Sequence, residues 1–350
     1  MRLAVNLGYW RTSADADTAE LAVLAEDLGY SAAWVAEAHG SDAVSVLAWI
    51  AARTERIDLG SAILQIPART PAMTAMTAAT LDTLSQGRFL LGLGTSGPQV
   101  AEGWHGARFD HPLARTREYL DLIRLALSRK PLCGNGPHYP LHWPDGPDSA
   151  LELTVGPYRG REIPIYLAAM GPKNLELTGA VADGWLSMFF SPWHAEQTLS
   201  SLRRAVQHAG RSMTEMDIVA TMPLVVGENW RDCADAARPY AALFIGGMGT
   251  RSVNFYRDLV ARMGFAEQAA EVHRLFMAQE YSEALAAVPA ELLDATSLLG
   301  PKERIGERML ALAAAGVTTL AVSVRGQRTD RAAAALRTAA EALDHSGIGD

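Results

Sequence analysis

Eight times along this 350-residue chain a short apolar run gives way to a segment with a helical stripe. The runs cover residues 2–7, 32–36, 57–66, 88–93, 163–168, 184–190, 218–226 and 317–324. The helical stripes cover 14–28, 42–53, 70–85, 113–128, 172–181, 192–209, 302–315 and 331–343. Runs that are apolar throughout, rather than alternating, are what parallel strands buried on both faces require, and each parallel step needs a crossover helix. The clearest unit spans residues 57–97: a partly β-branched run, Pro67 and Pro71 as punctuation, a helical stripe, then a second run ending in glycines. Eight repeats fit a single (β/α)8 TIM barrel over residues 1–350, and an open doubly wound sheet is the other arrangement.

Two stretches break the rhythm. Residues 130–160 are rich in proline and glycine and show no period. Residues 228–299 show no strand pattern, only alanine-rich helical segments interrupted at 246–249 and at Pro289. The second is read as a helical insertion before the last strand, placed over the barrel mouth, because barrels accept insertions in the loops that follow their strands.

The chain carries 31 basic and 39 acidic side chains, a formal charge of −8, with the acids dispersed. That balance argues against a nucleic-acid partner or an anionic membrane surface. Cys133 and Cys233 lie far apart and outside any C-x-x-C, the pattern of free thiols in a reducing compartment. The first apolar run is interrupted by Asn6 and reads as a strand rather than a signal peptide, and no run approaches the ~20 residues of a membrane span. The expectation is a cytoplasmic protein acting on small molecules.

Several motifs sit at predicted strand ends. Gly92-Leu93-Gly94-Thr95-Ser96-Gly97 is formally G-x-G-x-x-G, but a dinucleotide fold needs a helix at once, whereas Pro98, Gly103, Trp104, Gly106 and Pro112 describe a loop. The glycines still allow close backbone approach, with Thr95 and Ser96 as donors, unless this is a plain tight turn. Met170-Gly171-Pro172-Lys173-Asn174 offers free N–H groups, a helix dipole and a lysine to an anion, or is an ordinary proline-initiated helix. In WVAEAH, Glu37 and His39 face one way if strand alternation continues, as an acid–base pair or as a satisfied hydrogen-bonded one. His138 and His142 have metal-like spacing, but Pro140 keeps a helix from presenting them together, so no metal is expected. Tyr9, Trp10, Trp104, Met188, Phe189 and Trp193 fall at strand ends, where some could line a flat apolar pocket.

Taken together, LGSAILQIPARTPAMTAMTAATLDTLSQGRFLLGLGTSGPQVAEGWHG, PLARTREY, IPIYLAAMGPKN, ADGW and LLGPKERI resemble the luciferase-like barrel superfamily. More closely they resemble its coenzyme F420-dependent oxidoreductases of actinomycetes. The similarity runs in order along nearly the whole chain and thins in 130–160 and parts of 228–299. It implies a deazaflavin across the C-terminal mouth, backed by a non-proline cis peptide that here would be Ala62–Ile63. Glu37, Gln65, Thr95, Ser96 and Gly97 would contact it, and Met170, Gly171, Pro172, Lys173 and Asn174 would hold its phosphate. A homodimer formed through helices beside the early strands is also implied.

Two departures bear on chemistry. Many relatives carry a catalytic histidine where Ala38 stands, and the sugar-phosphate dehydrogenases carry a glutamate where Gly97 stands. Glucose 6-phosphate oxidation is therefore not expected, and the proton donor stays open among His39, Glu37, Tyr9, Glu102 and His105. The expected reaction is hydride transfer from reduced F420 to an activated C=C or C=N bond of a small or biosynthetic substrate. An FMN-dependent monooxygenase and a non-catalytic flavin- or deazaflavin-binding barrel are the alternatives.

Overall fold

Which strands meet at the sheet's two ends separates a barrel from an open sheet. The computed structural model describes residues 1–8, 18–141, 150–324 and 327–349. Its strands are β1 (Arg2–Gly8), β2 (Ala32–Val35), β3 (Asp58–Ser61), β4 (Leu64–Gln65), β5 (Phe89–Gly94), β6 (Ile165–Ala168), β7 (Gly184–Met188), β8 (Asp217–Val226), β9 (Leu298–Gly300) and β10 (Thr319–Ser323). All pairings are parallel, and β10 joins β1 on one side and β8 on the other. The ring is therefore closed, an eight-stranded (β/α)8 barrel, and the open doubly wound sheet is excluded.

The ring has eight members because β3 and β4 are two pieces of one strand. Sequence pattern makes residues 57–66 continuous, but the ladder breaks at Ala62–Ile63, whose peptide bond is cis. Beyond the break Leu64 and Gln65 pair with Leu93 and Gly94 of β5, and a short 3-10 turn, Ile66–Ala68, follows. The next helix starts as its residues dictate: Pro71 occupies the first turn and the Thr70 hydroxyl accepts from the Met73 N–H at 3.2 Å.

Apolar side chains lie on both faces of the barrel wall. Leu3, Val5, Leu59, Phe89, Leu91 and Ile165 point outward into the layer shared with the surrounding helices. Ala4, Ala32, Trp34, Leu90, Tyr166 and Leu186 fill the interior, with Ala62, Ile63 and Ala168 partly buried against them. Trp34 and Tyr166 meet edge to face, 5.1 Å between centroids. They fit because glycines face them: a Cβ on Gly60 would fall 2.2 Å from the Trp34 ring, and one on Gly184 2.1 Å from the Tyr166 ring.

At the N-terminal end of the strands Asp217 accepts from Arg2 (2.8 Å), the Tyr166 hydroxyl (3.0 Å), Thr319 (2.8 Å) and Thr318 (2.5 Å). Asp58 lies in the same region, where burial pushes its carboxyl up to about 6 against the pull of Arg161, Arg2 and Arg88.

Between β8 and β9 the chain forms helices Trp230–Ala242, Phe255–Val260, Ala266–Met277, Tyr281–Ala286 and Ala290–Thr296. They have a core of their own, including Ile245, Val260, Val272, Leu292 and Leu293, into which Phe189 reaches from beyond β7. Phe189 contacts the rings of Tyr240, Phe244 and Tyr256, and Phe255 lies 6.2 Å from Phe109 in the loop after β5. The insert thus rests on segments that leave the C-terminal ends of the strands. Residues 228–299 are not wholly helical, however. Leu298–Gly300 adds β9 to the end of β8, pairing Leu298 with Leu224, a three-residue strand too short to register as a pattern. Among the described residues, no helix is long and apolar enough to cross a membrane.

Candidate active site

Every barrel strand runs the same way, so the segments after β2, β4, β5 and β6 gather at one end. The cis pair Ala62–Ile63 forms the upper edge of the interior there, packed on the barrel core from below and only half-buried. Directly beyond it Gln65 is buried at 2% exposure, yet its amide is engaged on both sides. Gln65 Nε2 donates to Ser96 Oγ at 2.9 Å, and Gln65 Oε1 lies 2.9 Å from His105 Nε2. Since the amide nitrogen is committed to Ser96, the oxygen accepts, and His105 carries its proton on Nε2. Ser96 sits at φ 57°, the left-handed conformation that turns the Thr95–Gly97 backbone across the strand end.

Gly97 begins a single helical turn, Pro98–Ala101, where the sequence suggested only loop; four residues are too few to make a dinucleotide-binding helix. A Cβ at position 97 would land 2.6 Å from Gln99 Oε1, which is buried without a hydrogen-bond partner among the described residues. Any side chain at 97 therefore requires Gln99 to move.

Glu37 and His39 do not form a pair. β2 ends at Val35, so strand alternation does not extend to them. Glu37 turns inward to Arg69: Glu37 Oε1 accepts from Arg69 Nη1, and Oε2 accepts from Nη2 at 2.9 Å. It also accepts the backbone N–H groups of Ala43 (3.1 Å) and Gln65 (3.3 Å). Burial alone would lower the Arg69 guanidinium, but its bond and charge contact with Glu37 outweigh that and hold it above its usual value. Glu37 is thus a clamp between the β2 end and the turn after β4. His39 is exposed and has no hydrogen-bond partner among the described residues. Glu102 is also exposed, its carboxylate accepting the Phe109 N–H at 3.0 Å within its own loop. Tyr9, Trp10 and His142 lie outside the described residues, and Trp104 and Trp193 are largely exposed (65% and 62%). Of the proton-donor candidates among the described residues, Glu37 meets the Gln65 backbone N–H, and His105 meets the Gln65 side chain that also bonds Ser96 of the Thr95–Gly97 turn.

After β6 the helix Pro172–Val181 starts from Gly171 with no side-chain cap, and Pro172 fills its first position. A Cβ on Gly171 would meet nothing within 4 Å, so the space before this helix end is open. Lys173 is exposed and has no ion-pair or hydrogen-bond partner among the described residues. The positive end of the helix, the Lys173 backbone N–H, which has no partner among the described residues, and the Lys173 ammonium suit a phosphate, while the Asn174 and Leu175 N–H groups bond the Gly171 carbonyl. No motif in the chain points to Arg262. From the insert, Arg262 Nη2 donates to the Met170 carbonyl at 2.9 Å, tying the insert to the residue before Gly171. Among the described residues no cluster of His, Cys, Asp and Glu could hold a metal.

Comparison with known proteins agrees with this architecture. A family model described as luciferase-like monooxygenase matches residues 7–319. A Mycobacterium tuberculosis protein named "putative coenzyme F420-dependent oxidoreductase" is 41% identical over 343 residues, 96% of this chain and 99% of its own length. The 5,10-methylenetetrahydromethanopterin reductase of Archaeoglobus fulgidus is 28% identical over 301 residues, 84% of this chain and 85% of its own. In three dimensions the coenzyme F420-dependent tetrahydromethanopterin reductase from Methanopyrus kandleri superposes with a TM-score of 0.80 at 22% identity, covering 99% of both chains, a likeness of fold. With its closed barrel, its mouth-side insert and this span of similarity, the chain belongs to the luciferase-like family and, within it, to the coenzyme F420-dependent oxidoreductases.

Proposed function

We propose that this enzyme binds coenzyme F420 at the barrel mouth and, in its reduced form, uses it to reduce an activated C=C or C=N bond of a small or biosynthetic substrate. The observation that carries this reading is the uncapped helix start at Gly171 with Lys173 beside it, at the same end of the barrel as the Ala62–Ile63 edge. Together they suit a ligand with a flat ring and a phosphate. When bound, the cofactor supplies the hydride.

The chain's own residues bind, orient and move a proton. Ala62 and Ile63 offer an apolar edge for the ring, and Gln65, Thr95, Ser96 and Gly97 offer a polar border. The Glu37–Arg69 clamp fixes the Gln65 backbone, so that border is held before any ligand arrives. The insert covers the mouth and limits water. His105 is the proton donor in this reading: Gln65 holds its Nε2, which leaves Nδ1 as the atom that takes up and releases a proton. A homodimer is supported by Trp49, Met73, Met76 and Leu84, all exposed on the helices Ala43–Ala51 and Pro71–Leu84 beside the early strands; light scattering of the purified protein tests it.

The test of function is a fluorescence titration of oxidised F420 with pure protein. Saturable binding at micromolar protein is expected. A protein that instead purifies yellow and leaves F420 untouched would overturn the assignment in favour of FMN.

A further inference from the structure

A second cavity of about 300 Å³ lies beside the mouth, between the start of the helix Pro71–Leu84 and the start of the helix Pro112–Leu127. Its floor is the turn Ile66–Ala68, and its far wall is the loop after β5, from Ala101 to Pro112, closed by Tyr139. Of the residues assigned above to the cofactor, it shares Thr95 alone. It is therefore a neighbour of that seat, not part of it.

The lining is mostly apolar, through Ile66, Pro67, Ala107, Phe109 and Pro112, yet three arginines border it. Two are neutralised. Arg69 is held by Glu37, and Arg115 is bound to Asp110 through Nε and Nη2, both at 2.7 Å. That bond also answers the one carboxylate in the wall. Arg108 has no ion pair or hydrogen bond among the described residues and stands exposed at the rim. Asp110, already bonded to Arg115, is the nearby carboxylate that feels the Arg108 charge. An apolar hollow with one guanidinium at its edge that no ion pair or hydrogen bond holds among the described residues suits a compact apolar body ending in one negative charge.

We infer that this cavity is a binding site for a small monocarboxylic acid with an apolar body, its carboxylate on Arg108 and its body against Ile66, Pro67 and Phe109. The volume is at the lower end of the range for small-molecule sites and admits an acid of about a dozen non-hydrogen atoms. The inference does not depend on F420 binding.

The probe is 3-phenylpropionate, with 3-phenylpropionamide as its uncharged counterpart, each titrated calorimetrically into the full-length protein. The acid is expected to bind at about millimolar or tighter and the amide about tenfold more weakly, the size of one modest ionic contact. Arg108→Gln, a change at an exposed position, removes the preference for the acid and leaves the amide unaffected. Ala107→Trp fills the cavity and abolishes binding of both. Oxidised F420, titrated separately, binds both variants as it binds the unmodified protein, which keeps this test apart from the cofactor assignment. No heat from the acid at about 10 mM, equal binding of acid and amide, or an unchanged acid affinity in Arg108→Gln would each overturn the inference.

Discussion

The two ends of this barrel are built on opposite plans. At the N-terminal end the polar groups converge: Asp217 alone takes hydrogen bonds from Arg2, Tyr166, Thr318 and Thr319. At the C-terminal end a bonded network, Glu37 with Arg69 and Gln65 with Ser96 and His105, stands beside groups that lack a hydrogen bond among the described residues: Lys173, Arg108 and the buried Gln99 Oε1, with Gly171 leaving a helix uncapped. Groups left unsatisfied at one end are what a ligand completes, and in a parallel barrel that end is the one where strands deliver their loops.

The contrast can be broken by experiment. The largest effect is expected at the satisfied end. Asp217→Ala strands Arg2 and the buried Tyr166 hydroxyl and should cost about 3–5 kcal/mol in urea unfolding. The protein that remains folded should bind F420 with unchanged affinity; a loss of affinity would show that the ends are not separate. His105→Phe should do the reverse, lowering turnover of an accepted substrate roughly a hundredfold while the melting temperature and F420 affinity hold. A smaller effect is expected at the helix start. Lys173→Ala should weaken F420 about tenfold and Arg262→Met about threefold, with no change for a deazaflavin lacking the phosphate. Equal losses for both ligands would move the phosphate elsewhere.

A last effect concerns pH. Asp58 titrates at about 6 in the folded protein and at about 4 in the unfolded chain, so the native state holds the proton more tightly. Its contribution to stability is thus lost as pH rises from about 4 to about 6 and is level above that. Asp58→Asn should remove that slope, gaining about 1–2 kcal/mol over the unmodified protein between pH 4 and pH 7. Parallel denaturation curves at the two pH values would show Asp58 to be unperturbed.

What could be read in advance followed the range of the interactions. Strand order, crossover helices and helix starts such as Thr70–Pro71 and Gly171–Pro172 depend on residues close in sequence, and the chain states them directly. The cis bond at Ala62–Ile63 came only through family resemblance, since nothing in an Ala–Ile pair announces it. Strand alternation, which would pair Glu37 with His39, ends at Val35, beyond which side-chain direction is no longer set by the pleat and Glu37 turns to Arg69 instead. Gln65 with His105 and Arg262 with Met170 join residues 40 and 92 positions apart, and no local pattern encodes such contacts. Arg262 was hidden further by lying in an alanine-rich helical stretch whose composition describes only helix. β9 was missed for its length.

Trp34 and Tyr166, seated against Gly60 and Gly184, have a consequence for traffic through the molecule. They stopper the lumen, and Asp217 with its donors seals the far side, so the barrel offers no rear exit. Whatever reaches the mouth must leave by the way it came. If the proposed cofactor and substrate both enter at this mouth, they must take turns, with the deeper molecule entering first and departing last. Diversity of substrates within this architecture then has to be written in the doorway, in the insert and the loop after β5, because the interior behind it has no room to change.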